Sequence, residues 1–273
     1  MYTPTKTYPA GPLRILVVED NFFNQKVAIG MLQKMGHVVT VANNGREAVT
    51  TSESSGFDLI FMDIQMPEMD GFQATAAIRQ RQRESGKRVP IIAMTAHVMA
   101  GDREKALAAG MDDYISKPLM RDELKKIVER NSAVAEKATG REAPAPLESA
   151  ERSSDFVLDP GILKNRFGGD QELLTTIAEM FPGETAKALQ SVERARTEND
   201  AVTLRREAHS LKSMCKMFEA THAAGLALEL ETAAEEGSVG TDQQLQTLKT
   251  AVAAAAEAVV QFQKALNPTA QVQ

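Results

Sequence analysis

The chain has 273 residues, of which 43% are hydrophobic, and this is enough for two domains of ordinary size with packed cores. The net charge of −6 gives no general reason to expect a nucleic-acid partner. We find no apolar run of membrane-spanning length and no charged-then-apolar leader, so we expect a cytoplasmic protein without membrane insertion. The single cysteine, Cys215, excludes an internal disulfide framework and is typical of a reducing compartment.

Five strand patterns alternate with five helix patterns in the first half of the chain. Residues 1–12 show no periodicity, and we expect them to form a disordered lead-in. Short apolar runs then predict strands, and a helical apolar period follows each of them. The predicted strands are Ile15–Val18, Val38–Val41, Leu59–Met62, Pro90–Met94 and Tyr114–Ile115. This alternation predicts an α/β fold with a doubly wound, five-stranded parallel sheet of order 2-1-3-4-5 and helices on both faces.

The second half of the chain has a different composition. Large apolar residues almost vanish over residues 132–155, where Ala, Glu, Ser and two prolines dominate. This composition predicts a flexible linker, and a coil of about 24 residues spans roughly 25–30 Å. Over residues 156–273 the apolar period is helical and no strand pattern returns, which predicts an all-α antiparallel bundle.

Chemically useful side chains stand where four of the predicted strands end. Glu19 and Asp20 follow the first strand, Asp63 the third, Thr95 the fourth and Lys117 the fifth. Because strands one and three are neighbours in the predicted order, their three carboxylates converge and need a positive partner. Mg²⁺ prefers carboxylate and phosphate oxygens, while a lysine and a hydroxyl can contact a phosphoryl group. The set predicts phosphoryl transfer onto a carboxylate; for Asp63 alone, the alternative is a solvated acid at a strand end.

Four motifs stand in order within residues 13–131: VVEDN, MDIQMPEMDG, AMTAH and DDYISKP. They are similar to the motifs of response-regulator receiver domains, which are often found in hybrid sensor kinases. The resemblance implies a flavodoxin-like fold in which Asp63 is the phospho-acceptor. It also implies that Glu19 and Asp20 bind Mg²⁺ together with Asp63 and the backbone carbonyl of Gln65.

The same resemblance implies roles for residues around the acceptor. Thr95 and Lys117 correspond to phosphate contacts, and the peptide bond after Lys117 corresponds to the family's cis bond. Tyr114 stands at the aromatic switch position that moves with Thr95. Gln65 and His97 stand at the two variable positions that help to set the lifetime of the phosphoryl group. The alternative is a degenerate receiver that only binds a partner.

His209 is the histidine of interest in the second half of the chain. It lies beside the apolar stripe of its predicted helix, and its helical neighbours Arg205, Lys212, Ser213 and Lys216 form a polar, basic face. Basic surroundings favour an anionic phosphoimidazole over a bare ring. The small Ser213 leaves room for the acidic pocket of another protein to approach. The alternative is an ordinary solvated histidine.

Three segments carry a second resemblance: LKNRFGGDQELLTTIAEMF, AHSLKSMCKMFEA and LALELE. They are similar, over residues 156–267, to a histidine phosphotransfer (HPt) domain, which is a four-helix bundle with one or more leading helices. The resemblance implies that His209 is the phosphorylated residue and that Lys212 is the lysine usually found after it. Ser213 departs from the glycine common beside that lysine, and we expect docking to be retained because serine is also small.

The two resemblances together imply a two-component phosphorelay protein that is not an enzyme and has no kinase ATP-binding domain. We expect Asp63 to accept a phosphoryl group from the phosphohistidine of a sensor or hybrid histidine kinase. We expect His209 to relay it to or from a receiver aspartate, with a downstream receiver or HPt protein as partner. The face made by the fourth helix, fifth strand and fifth helix is the candidate surface for a receiver-mediated dimer.

Three alternatives to this function remain at this point. One is a scaffold protein that is regulated by its receiver and has a vestigial HPt domain. Another is a phosphate sink, which drains a kinase through hydrolysis at Asp63. The third is the tail of a longer hybrid kinase, against which Met1 and the unpatterned lead-in argue mildly.

Overall fold

The structure is a computed structural model, and it describes residues 11–54, 56–95, 100–132 and 158–266. The predicted lead-in up to residue 10, the predicted linker from residue 133 onwards and His97 lie outside the described residues. The chain divides into two compact units, one built around a sheet and one containing the helices from Pro160 onwards. Among the helices described, none is both long enough and apolar enough to cross a membrane.

The first unit contains five parallel strands in the order β2-β1-β3-β4-β5. The strands are β1 (Arg14–Val18), β2 (Val38–Ala42), β3 (Leu59–Asp63), β4 (Ile91–Thr95) and β5 (Asp113–Ser116). The helices are α1 (Phe22–Lys34), α2 (Gly45–Ser54), α3 (Gly71–Ser85), α4 (Ala100–Ala108) and α5 (Arg121–Ser132). The predicted fold class and strand order are confirmed. Helix α5 ends at Ser132, which is the first residue of the predicted linker.

Burial explains why the central strands read as continuous apolar runs. Every residue of β3 is buried, as are four of the five residues of β1, because helices cover both faces of a doubly wound sheet. Strand β2 lies at the edge, and its burial alternates along the chain. The register pairs Val18 with Met62, so the residues that follow these two come out at the same edge of the sheet.

A tight loop between β3 and α3 holds the end of β3 in place. Asp70 caps α3 by accepting a hydrogen bond from Gln73 N at 2.8 Å, and the Gln73 side chain accepts in return from Asp70 N. The backbone N–H of Gly71 donates to the carbonyl of Ile64 at 3.0 Å. A Cβ atom at position 71 would lie 2.2 Å from the carbonyl oxygen of Asp63, so only glycine fits there.

Among the residues described from Pro160 onwards, every regular element of the second unit is a helix. Its helices are α6 (Pro160–Arg166), α7 (Gln171–Thr197), α8 (Ala201–Met217), α9 (Thr221–Glu235) and α10 (Asp242–Leu266). Helix α7 packs against α8 and α10, and α9 also packs against α8 and α10, so these four helices close into a bundle. The rings of Phe181 and Phe218 meet edge to face in its core, with centroids 4.8 Å apart. The predicted four-helix bundle with a leading helix is confirmed.

Candidate functional site

Three carboxylates meet at the carboxyl edge of the sheet. Glu19 and Asp20 follow β1 and Asp63 ends β3, and ligand atoms from the three residues all lie within 4.8 Å of one another. Glu19 and Asp63 are buried, while Asp20 is partly exposed. An all-oxygen cluster of this kind suits a hard divalent cation such as Mg²⁺.

Lys117 brings a positive charge to the same cluster. Its ammonium nitrogen lies 2.6 Å from Asp63 Oδ2 and 2.6 Å from Glu19 Oε2, and all three side chains are almost fully buried. The backbone N–H of Lys117 donates to the carbonyl of Thr95 at 2.7 Å, which ties the end of β5 to the end of β4. The bond between Lys117 and Pro118 is cis, as the family resemblance implies.

The charges in this cluster do not balance. Burial raises the pKa of Asp63 to about 8, and repulsion from Glu19 acts in the same direction, although the adjacent Lys117 opposes both. Burial alone would lower the pKa of Lys117, but attraction to the two carboxylates outweighs it and raises that pKa. Lys117 therefore keeps its proton. When Asp63 is ionised as well, three carboxylates and one ammonium group carry a net charge of −2. A bound divalent cation would offset this charge and so favour the ionised, nucleophilic form of Asp63.

The other predicted residues of the first unit surround this cluster. The backbone N–H of Gln65 donates to Asp63 Oδ1 over 3.3 Å, which places the peptide of Gln65 beside the acids. Thr95 ends β4 and pairs in register with Ser116, just before Lys117. Tyr114 lies on β5 opposite Ala93, and its partly buried ring packs against the sheet core. The structure thus brings Asp63, Glu19, Asp20, Lys117 and the Gln65 backbone together.

A second polar cluster lies between α8 and α9. His209 Nδ1 lies 2.7 Å from Glu231 Oε1, and Lys212 Nζ lies 2.5 Å from the other oxygen of the same carboxylate. The three side chains are 12%, 5% and 1% exposed in the order His209, Glu231 and Lys212, so the contact is largely shielded from water.

The protonation state of Glu231 determines that of the imidazole. Burial, the largest influence, raises the pKa of Glu231, but the hydrogen bonds and charges of His209 and Lys212 outweigh it and lower that pKa to about 2. Glu231 is therefore ionised at neutral pH, and an ionised carboxylate can only accept hydrogen bonds. The ring must then donate through Nδ1–H. In the neutral ring this leaves the lone pair on Nε2, which becomes the nucleophilic atom.

The surroundings of His209 differ from the basic face that the sequence suggests. Lys212 and Ser213 are both buried, and Lys212 is paired with Glu231. Arg205 lies 2.8 Å from Glu235, so its charge is paired as well. The helical period of α8 describes only that helix, whereas the acids that pair with its basic residues lie on α9. Two of the three basic residues on this face are therefore charge-paired, and His209, at 12% exposure, is not a solvated histidine.

Glu231 is the residue that sequence reasoning missed. A signal was present, because Glu231 lies in line with Ala227, Leu230 and Ala234, which are all buried on α9. An acid in the apolar stripe of a helix is rarely left without a partner. The facing helix carries both partners.

In comparisons with known proteins, two different families match the two parts of the chain. A family model described as the response regulator receiver domain matches residues 15–129, and another described as the Hpt domain matches residues 176–259. The sensor histidine kinase GacS of Pseudomonas protegens is 33% identical over 210 residues, covering 76% of this chain and 23% of the relative. The sensor protein GacS of Pseudomonas syringae pv. syringae is 30% identical over 245 residues, which cover 88% of this chain and 26% of that relative. The chain spans about a quarter or less of the length of such curated relatives.

Solved structures also match parts of the chain. The receiver domain of a sensor histidine kinase from Pseudomonas aeruginosa PAO1, with a magnesium ion in its active-site cleft, is 46% identical; the match covers 45% of this chain and 99% of that one, with a TM-score of 0.42. A chain from the complex of the Saccharomyces cerevisiae histidine phosphotransfer protein Ypd1 with the receiver domain of Ssk1 is 35% identical. The match covers 48% of this chain and 94% of that one, with a TM-score of 0.44.

Proposed function

We propose that this chain, a two-component phosphorelay protein with a receiver domain and an Hpt domain, carries a phosphoryl group at Asp63 and at His209. The contact of Lys117 Nζ with both Asp63 and Glu19, at 2.6 Å each, is the observation that carries the proposal. It puts an acid nucleophile, a fixed cation and two further carboxylates in one pocket. Few structural roles require a lysine to be buried between two acids.

The proposal assigns residues 13–131 to the receiver, whose last helix extends to Ser132, the following residues up to 155 to a linker, and residues 156–273 to the HPt domain. The phosphoryl donor is a sensor or hybrid histidine kinase, and the exchange partner of His209 is an aspartate of a receiver. We place the exchange in the cytoplasm, because a chain with a single cysteine has no internal disulfide and is typical of a reducing compartment.

At the first site the carboxylate of Asp63 attacks the phosphorus of a phosphohistidine. The new P–O bond forms as the P–N bond breaks, and the imidazole nitrogen of the donor leaves with the electron pair. Mg²⁺ held by Glu19, Asp20, Asp63 and the Gln65 carbonyl would offset the negative charge on the phosphoryl oxygens. Lys117 pairs with Asp63 Oδ2 before transfer and supplies a fixed positive charge beside the acyl phosphate after it.

At the second site Nε2 of His209 attacks the phosphorus of an aspartyl phosphate. The P–N bond forms as the P–O bond breaks, and the aspartate leaves as a carboxylate with the electron pair. The ring keeps its proton on Nδ1 and becomes positively charged. Glu231, 2.7 Å away, stabilises that charge and holds the ring in one orientation.

A phosphotransfer assay tests both assignments. A radiolabelled, phosphorylated histidine kinase is mixed in Mg²⁺ with the wild type, Asp63→Asn and His209→Gln. Asp122→Asn and His222→Gln, at exposed positions, serve as matched controls. Label at Asp63 is stable in acid and lost in alkali, as expected for an acyl phosphate, and label at His209 shows the opposite behaviour.

The outcomes separate the routes. Loss of both labels in Asp63→Asn means that the relay runs from Asp63 to His209. Label on His209 in that variant means that His209 serves a receiver outside this chain. If neither residue takes label from any phosphorylated kinase or receiver, the proposal fails.

A further inference from the structure

The corner between α8 and α9 has an unusual residue at its centre. The N–H of Ala220 donates to the carbonyl of Cys215 at 2.9 Å, and the N–H of Glu219 donates to that of Lys216 at 3.2 Å. These two bonds define a Schellman ending for α8, whose left-handed position is usually glycine. Here that position is Glu219, with φ of 59°. A side chain retained at a strained position calls for a compensating contact.

Arg166, the last residue of α6, makes that contact. Its guanidinium donates to the carbonyls of Lys216 (2.9 Å) and Met217 and forms an ion pair with Glu219, and the side chain is only 7% exposed. The last carbonyls of a helix have no partner within the helix, and a positive charge is favourable at that end. One buried arginine thus clamps both the end of α8 and the residue that turns the chain into α9.

The two helices joined at this corner are those that carry the second polar cluster. His209 lies ten residues before Glu219 on α8, and Glu231 lies twelve residues after it on α9. The hydrogen bond of 2.7 Å between them depends on the axial register of α8 against α9. Because the connection spans only residues 218–220, the geometry of this corner sets that register.

We propose that Arg166 is a positioning residue for phosphoryl transfer at His209. The Arg166 clamp sets the α8–α9 register that brings Glu231 to Nδ1, and so fixes the ring tautomer and the direction of Nε2. The inference rests on the proposed function of His209 for its effect on transfer, but its effect on the ring is independent of that function. Arg166 lies outside residues 176–259, the part matched by the Hpt family model.

The test uses the full chain with Arg166→Ala and Arg166→Lys. Arg194→Ala is the matched control, because Arg194 is an exposed arginine of α7 that pairs with Glu198, four residues further along the chain, at 2.8 Å. The first measurement is the pair of ¹⁵N chemical shifts of the His209 ring, which reports the nitrogen that carries the proton. The second is the rate of transfer from a phosphorylated receiver, measured against receiver concentration.

We expect Arg166→Ala to reduce the population of the Nδ1–H tautomer and to lower the maximal transfer rate roughly ten-fold, since small misplacements of reacting groups are costly. The receiver concentration at half-maximal rate should change less than about two-fold, because the ring is not a large part of a docking surface. Arg166→Lys keeps the charge but not the planar fork, so its values should lie between those of Arg166→Ala and the wild type. Arg194→Ala should behave as the wild type.

Two outcomes would overturn the inference. One is unchanged ring shifts in both Arg166 variants, whatever happens to the rate, because a slower rate with the same tautomer indicates a general loss of structure. The other is a lower rate that comes only from weaker receiver binding. Should Arg166→Ala fail to fold, Arg166→Lys carries the same comparison. If the wild type never accepts a phosphoryl group, the proposed function fails, while the ring shifts still decide whether Arg166 positions His209.

Discussion

Glu231 Oε1 lies 2.7 Å from His209 Nδ1, and Glu231 Oε2 lies 2.5 Å from Lys212 Nζ. One buried acid of α9 therefore serves two residues that are three positions apart on α8, which places them on the same face of that helix. Burying an ion pair costs desolvation energy that the attraction often only balances. The buried cluster of His209, Glu231 and Lys212 is therefore better explained by its effect on the imidazole, whose proton it holds on Nδ1, than by a gain in stability.

Replacing Glu231 by glutamine should slow phosphoryl transfer at His209 by about ten-fold or more, because a hydrogen bond to a charged group contributes about 1.5–3 kcal/mol and each 1.4 kcal/mol of barrier is about ten-fold in rate. Glutamine keeps the size and can still accept a hydrogen bond, but it removes the counter-charge of the phosphoimidazole and of Lys212. Transfer rates from a phosphorylated receiver measure the effect. Glu229→Gln, at an exposed position of the same helix, is the control and should retain the wild-type rate. Equal rates in the two variants would contradict the role of Glu231.

The same residue predicts a dependence of stability on pH. The pKa of Glu231 is held at about 2 in the folded protein, against an ordinary value of 4.5. A lowered pKa stabilises the fold above the ordinary value, and this contribution is lost as the pH falls from about 4.5 towards 2. The difference in unfolding free energy between the wild type and Glu231→Gln should therefore shrink over this range. Urea unfolding of the two proteins at several pH values measures it.

Other carboxylates also titrate in this pH range, so the comparison with a variant is essential. Glu229→Gln provides the reference, because it removes a carboxylate at an exposed position of the same helix and leaves the contacts of Glu231 in place. A wild-type protein that loses no more stability on acidification than Glu231→Gln does would show that the contacts of Glu231 contribute nothing.

The sequence predicted the first site better than the second for a physical reason. Parallel strands deliver their carboxyl ends to one edge of a sheet, so the position of Asp63 at the end of one apolar run and of Glu19 at the end of another was enough to bring them together. Lys117 followed from the same rule. The strand order and the fold class are confirmed, whereas the roles of these residues stay predictions.

Periodicity predicts less about a pair of helices. It gives the face on which His209 lies, but it does not give the axial offset of α8 against α9, and that offset determines whether Glu231 or Glu235 meets the ring. The burial of Lys212 was missed for the same reason. The contacts of Arg166 lie further still from any local pattern, since about fifty residues separate it from the carbonyls that it binds.

The close approach at Gly71 predicts a sensitive position behind the acidic cluster. A Cβ atom there would lie 2.2 Å from the carbonyl oxygen of Asp63, so Gly71→Ala must displace the end of β3 or the start of α3. We expect the free energy of unfolding to fall by about 1–3 kcal/mol, as for other overpacked sites. We also expect weaker Mg²⁺ binding, measured by titration calorimetry, because the Asp63 backbone moves.

Gly56→Ala is the matched control for this substitution. A Cβ atom at position 56 would have Arg14 Nη1 as its nearest neighbour, at 3.8 Å, which is ordinary van der Waals contact. Gly56→Ala should keep wild-type stability within about 0.5 kcal/mol and the wild-type affinity for Mg²⁺. A Gly71→Ala protein as stable as Gly56→Ala would mean that the loop after β3 is free to adjust.

Two buried threonines predict different effects of the same substitution to valine. Thr75 on α3 is fully buried, and within the described parts of the chain its hydroxyl has no hydrogen-bond partner. Thr185 on α7 is equally buried, but its hydroxyl donates to the carbonyl of Phe181 at 2.8 Å. Valine has nearly the same shape and helix propensity as threonine, so the comparison isolates the hydroxyl.

Thr75→Val should raise the unfolding free energy of its unit by about 1 kcal/mol, because a buried hydroxyl without a partner costs 1–3 kcal/mol of desolvation. Thr185→Val should leave stability unchanged or lower it by up to about 1 kcal/mol, because it gives up a satisfied hydrogen bond. Urea unfolding of each variant, with the transitions of the two units assigned separately, measures both effects. A lower stability in Thr75→Val would mean that this hydroxyl is satisfied in solution, with a bound water molecule as its simplest partner.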